Sequence, residues 1–358
     1  MSAHELLIWI MATFAALGAL DRIFGNRLGI GKDFEEGILA MGSLALAMIG
    51  VISLAPVLAA VLKPIVVPVY AFLGADGAMF AGTILASDMG GGALAAEMAG
   101  SREAALLGGV ITGSMLGATV VFTIPVAMGI LEEADRPAMA KGILCGIVTI
   151  PVGVLAGGIV AGFEIGMVLR NLIPIVLIGG AIAFGLWKSE KKMIRMFAAF
   201  GKGVVAVITA GLAAAIVKEL TGISLIPGLA PIEEGFQTVG AIAIVLAGAF
   251  PLVAVLTRVL RKPLLRLGKV LGINDAAAAG LVASLANSIA TFGLVKEMDN
   301  RGKVVNIAFA VSAAFVFGDH LGFTAGFAPE MLPAMIIGKL AGGVSAVAVA
   351  LWLTKKEG

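Results

Sequence analysis

About eleven apolar runs, parted by short charged loops, constrain this chain more than any other feature. A bilayer core about 30 Å thick asks for about 20 apolar residues per helix. Runs of that kind lie near residues 5–20, 37–62, 78–99, 104–131, 139–162, 166–187, 194–217, 236–257, 276–295, 304–328 and 331–353. Only 13% of the 358 residues are charged, about half the share a water-soluble domain uses to cover its surface. The expected fold is therefore an all-α polytopic membrane protein, one transmembrane domain over residues 1–358 with about eleven transmembrane or re-entrant helices. The first run, His4–Leu20, has neither a basic stretch before it nor a clean cleavage site after it, so it reads as a retained span.

What the composition lacks is also informative. A net charge of +2 without a basic arm excludes nucleic acid as a partner and leaves the lipid bilayer as the main one. One cysteine, Cys145, forms no intrachain disulfide, and two histidines, His4 and His320, are too few for an ordinary zinc site. No metal and no cofactor are expected. Oligomeric state is not readable from these residues, and a homodimer stays open.

Positive charge concentrates in two places, Lys188, Lys191, Lys192 and Arg195, then Arg258, Arg261, Lys262, Arg266 and Lys269. Both clusters are expected on the cytoplasmic face, two spans apart. Leu264, Leu265, Leu267, Val270 and Leu271 interleave with the second cluster, which suits either an interfacial amphipathic helix or a solvated loop.

The chain also resembles itself. Leu62-Lys63-Pro64, Leu73-Gly74-Ala75-Asp76, Ala81-Gly82 and Ala86-Ser87 are answered about 200 residues later by Arg261-Lys262-Pro263, Leu271-Gly272-Ile273-Asn274, Ala279-Gly280 and Ala283-Ser284. Glu97-Met98 is answered by Glu297-Met298. Two related halves, roughly 34–162 and 194–353, are expected. Each holds an interrupted apolar segment, Leu85–Gly92 in the first and Ser284–Thr291 in the second, and matched interruptions are the sequence pointer to a transport site. Whether the halves are inverted or parallel turns on whether these segments cross or re-enter.

Ionisable residues inside apolar runs cost about 2.5–3.5 kcal/mol each on insertion scales and are functional candidates by default. Asp88, beside Ser87 and the glycines Gly90, Gly91 and Gly92, is one; Asp319 and His320, flanked by Gly318 and Gly322, are two more; Lys339 is the fourth. The plainer alternatives are a helix cap for Asp88, a structural Asp319–His320 pair, and snorkelling or carboxylate pairing for Lys339. Glu97 and Glu297 read as segment ends in the interface. Acidic groups at depth with few basic partners suit a small cation, with Ser87, Asn287 and Ser288 as further polar contacts and Phe315, Phe317 or Phe323 as cation–π faces.

Three runs carry a family resemblance: Ala86-Ser87-Asp88-Met89-Gly90-Gly91, Met298-Asp299-Asn300-Arg301-Gly302-Lys303-Val304-Val305-Asn306, and Phe317-Gly318-Asp319-His320-Leu321-Gly322-Phe323-Thr324-Ala325. In that order they resemble the EutH family of bacterial ethanolamine-utilisation permeases across essentially the whole chain. The resemblance implies a multi-pass permease of the cytoplasmic membrane that imports ethanolamine and is not itself an enzyme. Ethanolamine is mostly a cation at neutral pH, since aliphatic amines titrate near 10 as lysine does. Asp88 and Asp319 would then neutralise the ammonium, and Ser87, Asn287, Ser288 or His320 would bind the hydroxyl. Facilitated diffusion is the leading mode, with proton- or ion-coupled symport as the alternative through His320. An intramembrane aspartyl hydrolase using Asp88 and Asp319 is the reading from another class, but the Tyr-Asp and Gly-x-Gly-Asp contexts expected of one are missing.

Overall fold

The computed structural model describes residues 2–355, apart from the side chains of Leu260, Arg261 and Leu264. The part those three side chains were expected to play in the basic and amphipathic stretch lies outside the described residues. The described residues form helices and no strand. In chain order these are α1 (Ala3–Ile23), α2 (Gly31–Phe72), α3 (Ala78–Ile84), α4 (Gly91–Met98), α5 (Arg102–Leu106), α6 (Ile124–Ile130), α7 (Arg136–Val160), α8 (Ile165–Thr221), α9 (Ile232–Leu271), α10 (Asp275–Ala286), α11 (Ser288–Leu294), α12 (Asn300–Ala313), α13 (Asp319–Phe327) and α14 (Leu332–Leu353). α5 and α6 are the ends of one rod, Arg102–Ile130, whose middle, Leu107–Gly117 and Thr119–Thr123, is wound as a wider π-helix. Seven of the helices are long and apolar enough to cross a membrane, so the chain is an all-α, multi-pass membrane protein.

The 57-residue α8 is too long for one pass, and its backbone leaves the helical region at Ser189 (φ −156°, ψ 70°). Gly185 packs against Met193 across this break, so α8 folds back on itself and Lys188, Lys191, Lys192 and Arg195 gather at the bend. Of the two readings of the stretch after Arg258, an amphipathic helix or a solvated loop, the structure has a helix: it continues α9 to Leu271, where the chain turns by 118° into α10.

Contacts sort the loops into two ends of the bundle. At the first, the Gly100 amide donates to Asp76 Oδ2 at 2.9 Å, the Asp76 amide donates to Asn171 Oδ1, and Arg102 pairs with Glu330. At the second, Asn274 Nδ2 donates to the Glu297 carbonyl at 2.8 Å, Arg258 binds the Leu28 carbonyl, and Lys303 pairs with Asp135 at 2.6 Å. α2 and α9 run antiparallel between the ends, with Gly37 against Ala247 and Gly235 against Ile49.

Two expected spans do not cross. The Asp76–Gly100 bond closes the neck of α3–α4 and the Asn274–Glu297 bond closes that of α10–α11, so each pair enters from one end and returns to it. The breaks at their tips are narrower than the glycine run suggests. Gly90 is left-handed (φ 88°), but Gly91 and Gly92 lie inside α4, where a Cβ on Gly92 would strike the Phe323 ring. Gly322 is likewise helical, in α13 against Leu246. Those three glycines serve close packing, while the second break lies at Ala314–Gly318.

At several points the chain passes so close to a hairpin that only glycine fits, and two of them matter most here. A Cβ on Gly117 would overlap the Leu85 carbonyl oxygen, and one on Gly318 the Ala286 carbonyl oxygen. Overpacking of this kind costs about 1–3 kcal/mol. Gly117→Ala should therefore lower the melting midpoint of the purified protein in detergent by that equivalent. Gly203→Ala, where a Cβ meets open space, should leave it unchanged; equal midpoints for both variants would contradict the packing described.

Candidate functional site

The tip of the first hairpin is a single helical turn, Ser87–Met89, held between extended Ala86 and left-handed Gly90. The Gly91 amide donates back to the Ala86 carbonyl at 2.9 Å, which fixes the turn and carries Asp88 into the bundle. The break Ala314–Gly318 answers from the other side. Its Phe315 and Phe317 amides donate to the Ser284 and Leu285 carbonyls at 3.0 and 2.9 Å, so the interrupted segment is tied by backbone to the end of α10. Phe315 is held at φ 63°, a conformation a bulky residue adopts only under constraint.

These two interruptions bring three of the expected site residues together. His320, 2% exposed, points Nε2 at Asp88 Oδ1 from 3.5 Å, and its ring packs on Phe315 with centroids 5.3 Å apart. Phe315 in turn meets Phe122 edge-on at 5.5 Å. Asp88, Asp319, His320, Met89, Phe122 and Phe315 line one cavity of about 30 Å³, room for about two waters. At 3.5 Å the Asp88–His320 contact sits at the outer limit of a hydrogen bond, so the acid and the imidazole face each other without being locked.

Ser87 and Ser288, at the two hairpin tips, are fully buried, and neither hydroxyl has a hydrogen-bond partner; His320 Nδ1 has none either. Buried polar atoms are nearly always satisfied, so the bonding capacity of these three is open to water or to a polar ligand. Asn287 has a structural task, its Oδ1 capping α11 through the Ile289 amide at 2.7 Å. It stands apart from the central cavity but lines a larger one of about 500 Å³ that opens toward the second end past Asp33, Glu36, Thr257 and Arg258. Asp319 lines both cavities. From the first end a cavity of about 220 Å³, with Glu97, Glu234 and Thr238 in its wall, runs in to Gly90 and Phe323. Glu97 is exposed near the end of α4, in keeping with a segment end, and also lines this entrance.

Sequence reasoning did not find the π-helical wall. Ala118 and Phe122 enter the central cavity from it; its Thr112, Ser114, Thr119 and Thr123 read from sequence only as hydrogen bonds between helices, and the run of glycines from Gly108 to Gly117 is the available signal of the winding. Among the described residues no group of three or more His, Cys, Asp or Glu is arranged to hold a metal.

Comparison with known proteins agrees along the whole chain. Residues 3–353 match the model of the family described as "Ethanolamine utilisation protein, EutH". A Listeria monocytogenes protein named "Probable ethanolamine permease EutH" is 58% identical over 356 residues, 99% of this chain and 95% of that one. "Uncharacterized protein YxeR" of Bacillus subtilis is 54% identical over 100% of this chain and 96% of its own length. An Escherichia coli "Probable ethanolamine permease EutH" is 49% identical over 100% of this chain and 97% of its own. No solved structure matches. A family match across nearly every residue, with relatives of about the same length at these identities, places the chain in the EutH family of ethanolamine utilisation proteins.

Proposed function

We propose that this protein is a permease that carries ethanolamine inward across the bacterial cytoplasmic membrane by facilitated diffusion. The observation that carries the reading is the meeting of two acidic residues, from two interrupted segments, in one small cavity that shares Asp319 with a larger one. The relatives' printed names supply the substrate. Asp88 and Asp319 receive the ammonium, the Phe315 ring offers a π face, and His320 with the orphan hydroxyl of Ser87 receives the alcohol. Asn287 and Ser288 belong to the approach from the second end. One imidazole is thin machinery for proton coupling, which favours the uncoupled mode.

The same proposal includes two inverted halves. Gly74 and Gly272 are both left-handed, Asp76 and Asn274 each close a hairpin neck, and Gly117 and Gly318 each meet a carbonyl at the end of a hairpin's first arm. These pairs keep the spacing of about 200 seen in the sequence. The two hairpins enter from opposite ends, as inversion requires, with the first arm of α8 as the extra crossing between halves. On this path the chain crosses nine times, counting the bent α8 twice and 300–327 once. Most lysines and arginines, from Arg22 and Arg27 through the α8 bend to Lys303, lie at the second end, which is then cytoplasmic, and the larger cavity faces inward.

Uptake of labelled ethanolamine into proteoliposomes tests the function. Asp88→Asn and Asp319→Asn should each reduce uptake about tenfold or more, as expected when a charge-assisted bond is lost; no uptake by the unaltered protein would refute the function, and unchanged uptake in both variants would refute the site. Accumulation above equilibrium under an imposed pH gradient would show coupled symport instead. Sidedness has its own test, because the sole cysteine, Cys145, is fully buried. With Cys145 replaced, Thr238→Cys should react with an impermeant thiol reagent only from outside and Thr257→Cys only from inside; labelling of both from one face would rule out the two-ended path.

A further inference from the structure

Lys339 is 1% exposed, one of the largest fully buried side chains, and it lies in the middle of α14 rather than near an end where it could reach water. Its ammonium donates to the Ser114 carbonyl. Among the described residues no carboxylate lies within 4 Å of it. An ammonium buried in a membrane bundle with one carbonyl for a partner is costly, and the structure must repay that cost with negative charge close by. Ser114 shows where that charge is. Its neighbour Gly113 packs against the backbone of Ser87, where a Cβ on Gly113 would come within 3.2 Å of the Ser87 nitrogen, so the carbonyl that holds Lys339 Nζ lies beside the turn that presents Asp88. Asp88 follows Ser87 in that turn, which puts its carboxylate in the neighbourhood of the Lys339 ammonium.

The fixed charges around the cavity can then be counted. With both carboxylates ionised and the Lys339 amine protonated, Asp88 and Asp319 bring two negative charges, Lys339 one positive, and His320 in its neutral form none. The cluster carries one net negative charge and is made neutral by one monovalent cation. We propose that Lys339 is a specificity-determining residue: a resident ammonium that reduces the double acid to a site for a single ammonium group, so that monoamines are accepted and diamines refused. The inference rests on the reading of the cavity as an amine site and adds the charge rule that selects among amines. Lys339 touches the wall and not the cargo; it acts through the field at Asp88. A dication entering beside it would leave an unpaired positive charge at depth, whereas an ethanolamine-sized monocation closes the count.

Lys339→Met keeps most of the side-chain bulk and removes the charge, leaving two carboxylates for one substrate ammonium. The probe is 1,3-diaminopropane, which carries two ammonium groups at neutral pH, as a competitor of labelled ethanolamine uptake. In Lys339→Met it should compete at a concentration about tenfold lower than in the unaltered protein, and Lys339→Arg, which restores the charge, should return the original preference. Equal potency in all three would overturn the proposal. Where Lys339→Met takes up too little ethanolamine to assay, the purified variant's melting midpoint is read instead. It should rise more with 1,3-diaminopropane than with propylamine, the reverse of the unaltered protein, and an unreversed order would overturn the proposal. The melting assay needs no ethanolamine, so failure of the substrate assignment and failure of the charge rule give different results.

Discussion

Everything in this molecule depends on how backbone amides and carbonyls are satisfied where the chain stops being helical at membrane depth. Lipid offers no hydrogen bonds, and each unpaired group costs several kcal/mol, so an interruption survives only when other protein supplies the partner. Here the interruptions are made to meet. Phe315 and Phe317 amides use the carbonyls of Ser284 and Leu285, and Gly91 uses that of Ala86. Such bonding requires backbones to approach without side chains between them, which is why Gly117 and Gly318 stand against hairpin carbonyls. The cavity at Asp88, His320 and Asp319 is what remains between the two repaired breaks.

The charged groups obey the same economy. Asp88 faces an imidazole, and Lys339 faces a carbonyl in the π-helical wall. A buried ion pair locked at ideal distance would be stable and inert, since removing either member is expensive. The looser arrangement, with Asp88 and His320 at 3.5 Å and orphan polar atoms on Ser87 and His320, leaves bonding capacity unspent in the place a small polar cation would occupy. Holding Phe315 at φ 63° beside the same ring is a further cost that the packing of Phe122 and His320 offsets.

Much of this was legible before any coordinates. Apolar length alone locates the long helices but not their ends, since α2 runs ten residues past 62 and α9 fourteen past 257, and the cost of charge in lipid singles out Asp88, Asp319, His320 and Lys339. Length cannot separate a crossing from a hairpin, however, because 78–99 and 276–295 are as long and apolar as true spans; the difference lies in the neck bonds of Asp76 and Asn274. Glycine is ambiguous in the same way. Gly90 and Gly91 are neighbours, yet one is left-handed and the other helical, because only Gly90 has to turn the chain, where Val51 crowds its α-carbon. The π-helical wall has no sequence period of its own to betray it, and Lys339 shows its depth but not its partner, since Ser114 is 225 positions away.

The two interrupted regions also solve one problem by different means. On the proposed repeat, the rod 102–130 of the first half stays continuous past the hairpin by widening into a π-helix, and the stretch 300–327 that would answer it breaks outright at Ala314–Gly318. A π-turn accommodates an extra residue without surrendering its internal hydrogen bonds, whereas a break exports its amides to a neighbour. The broken side therefore depends on α10 for its bonding and the widened side does not depend on α3 in that way.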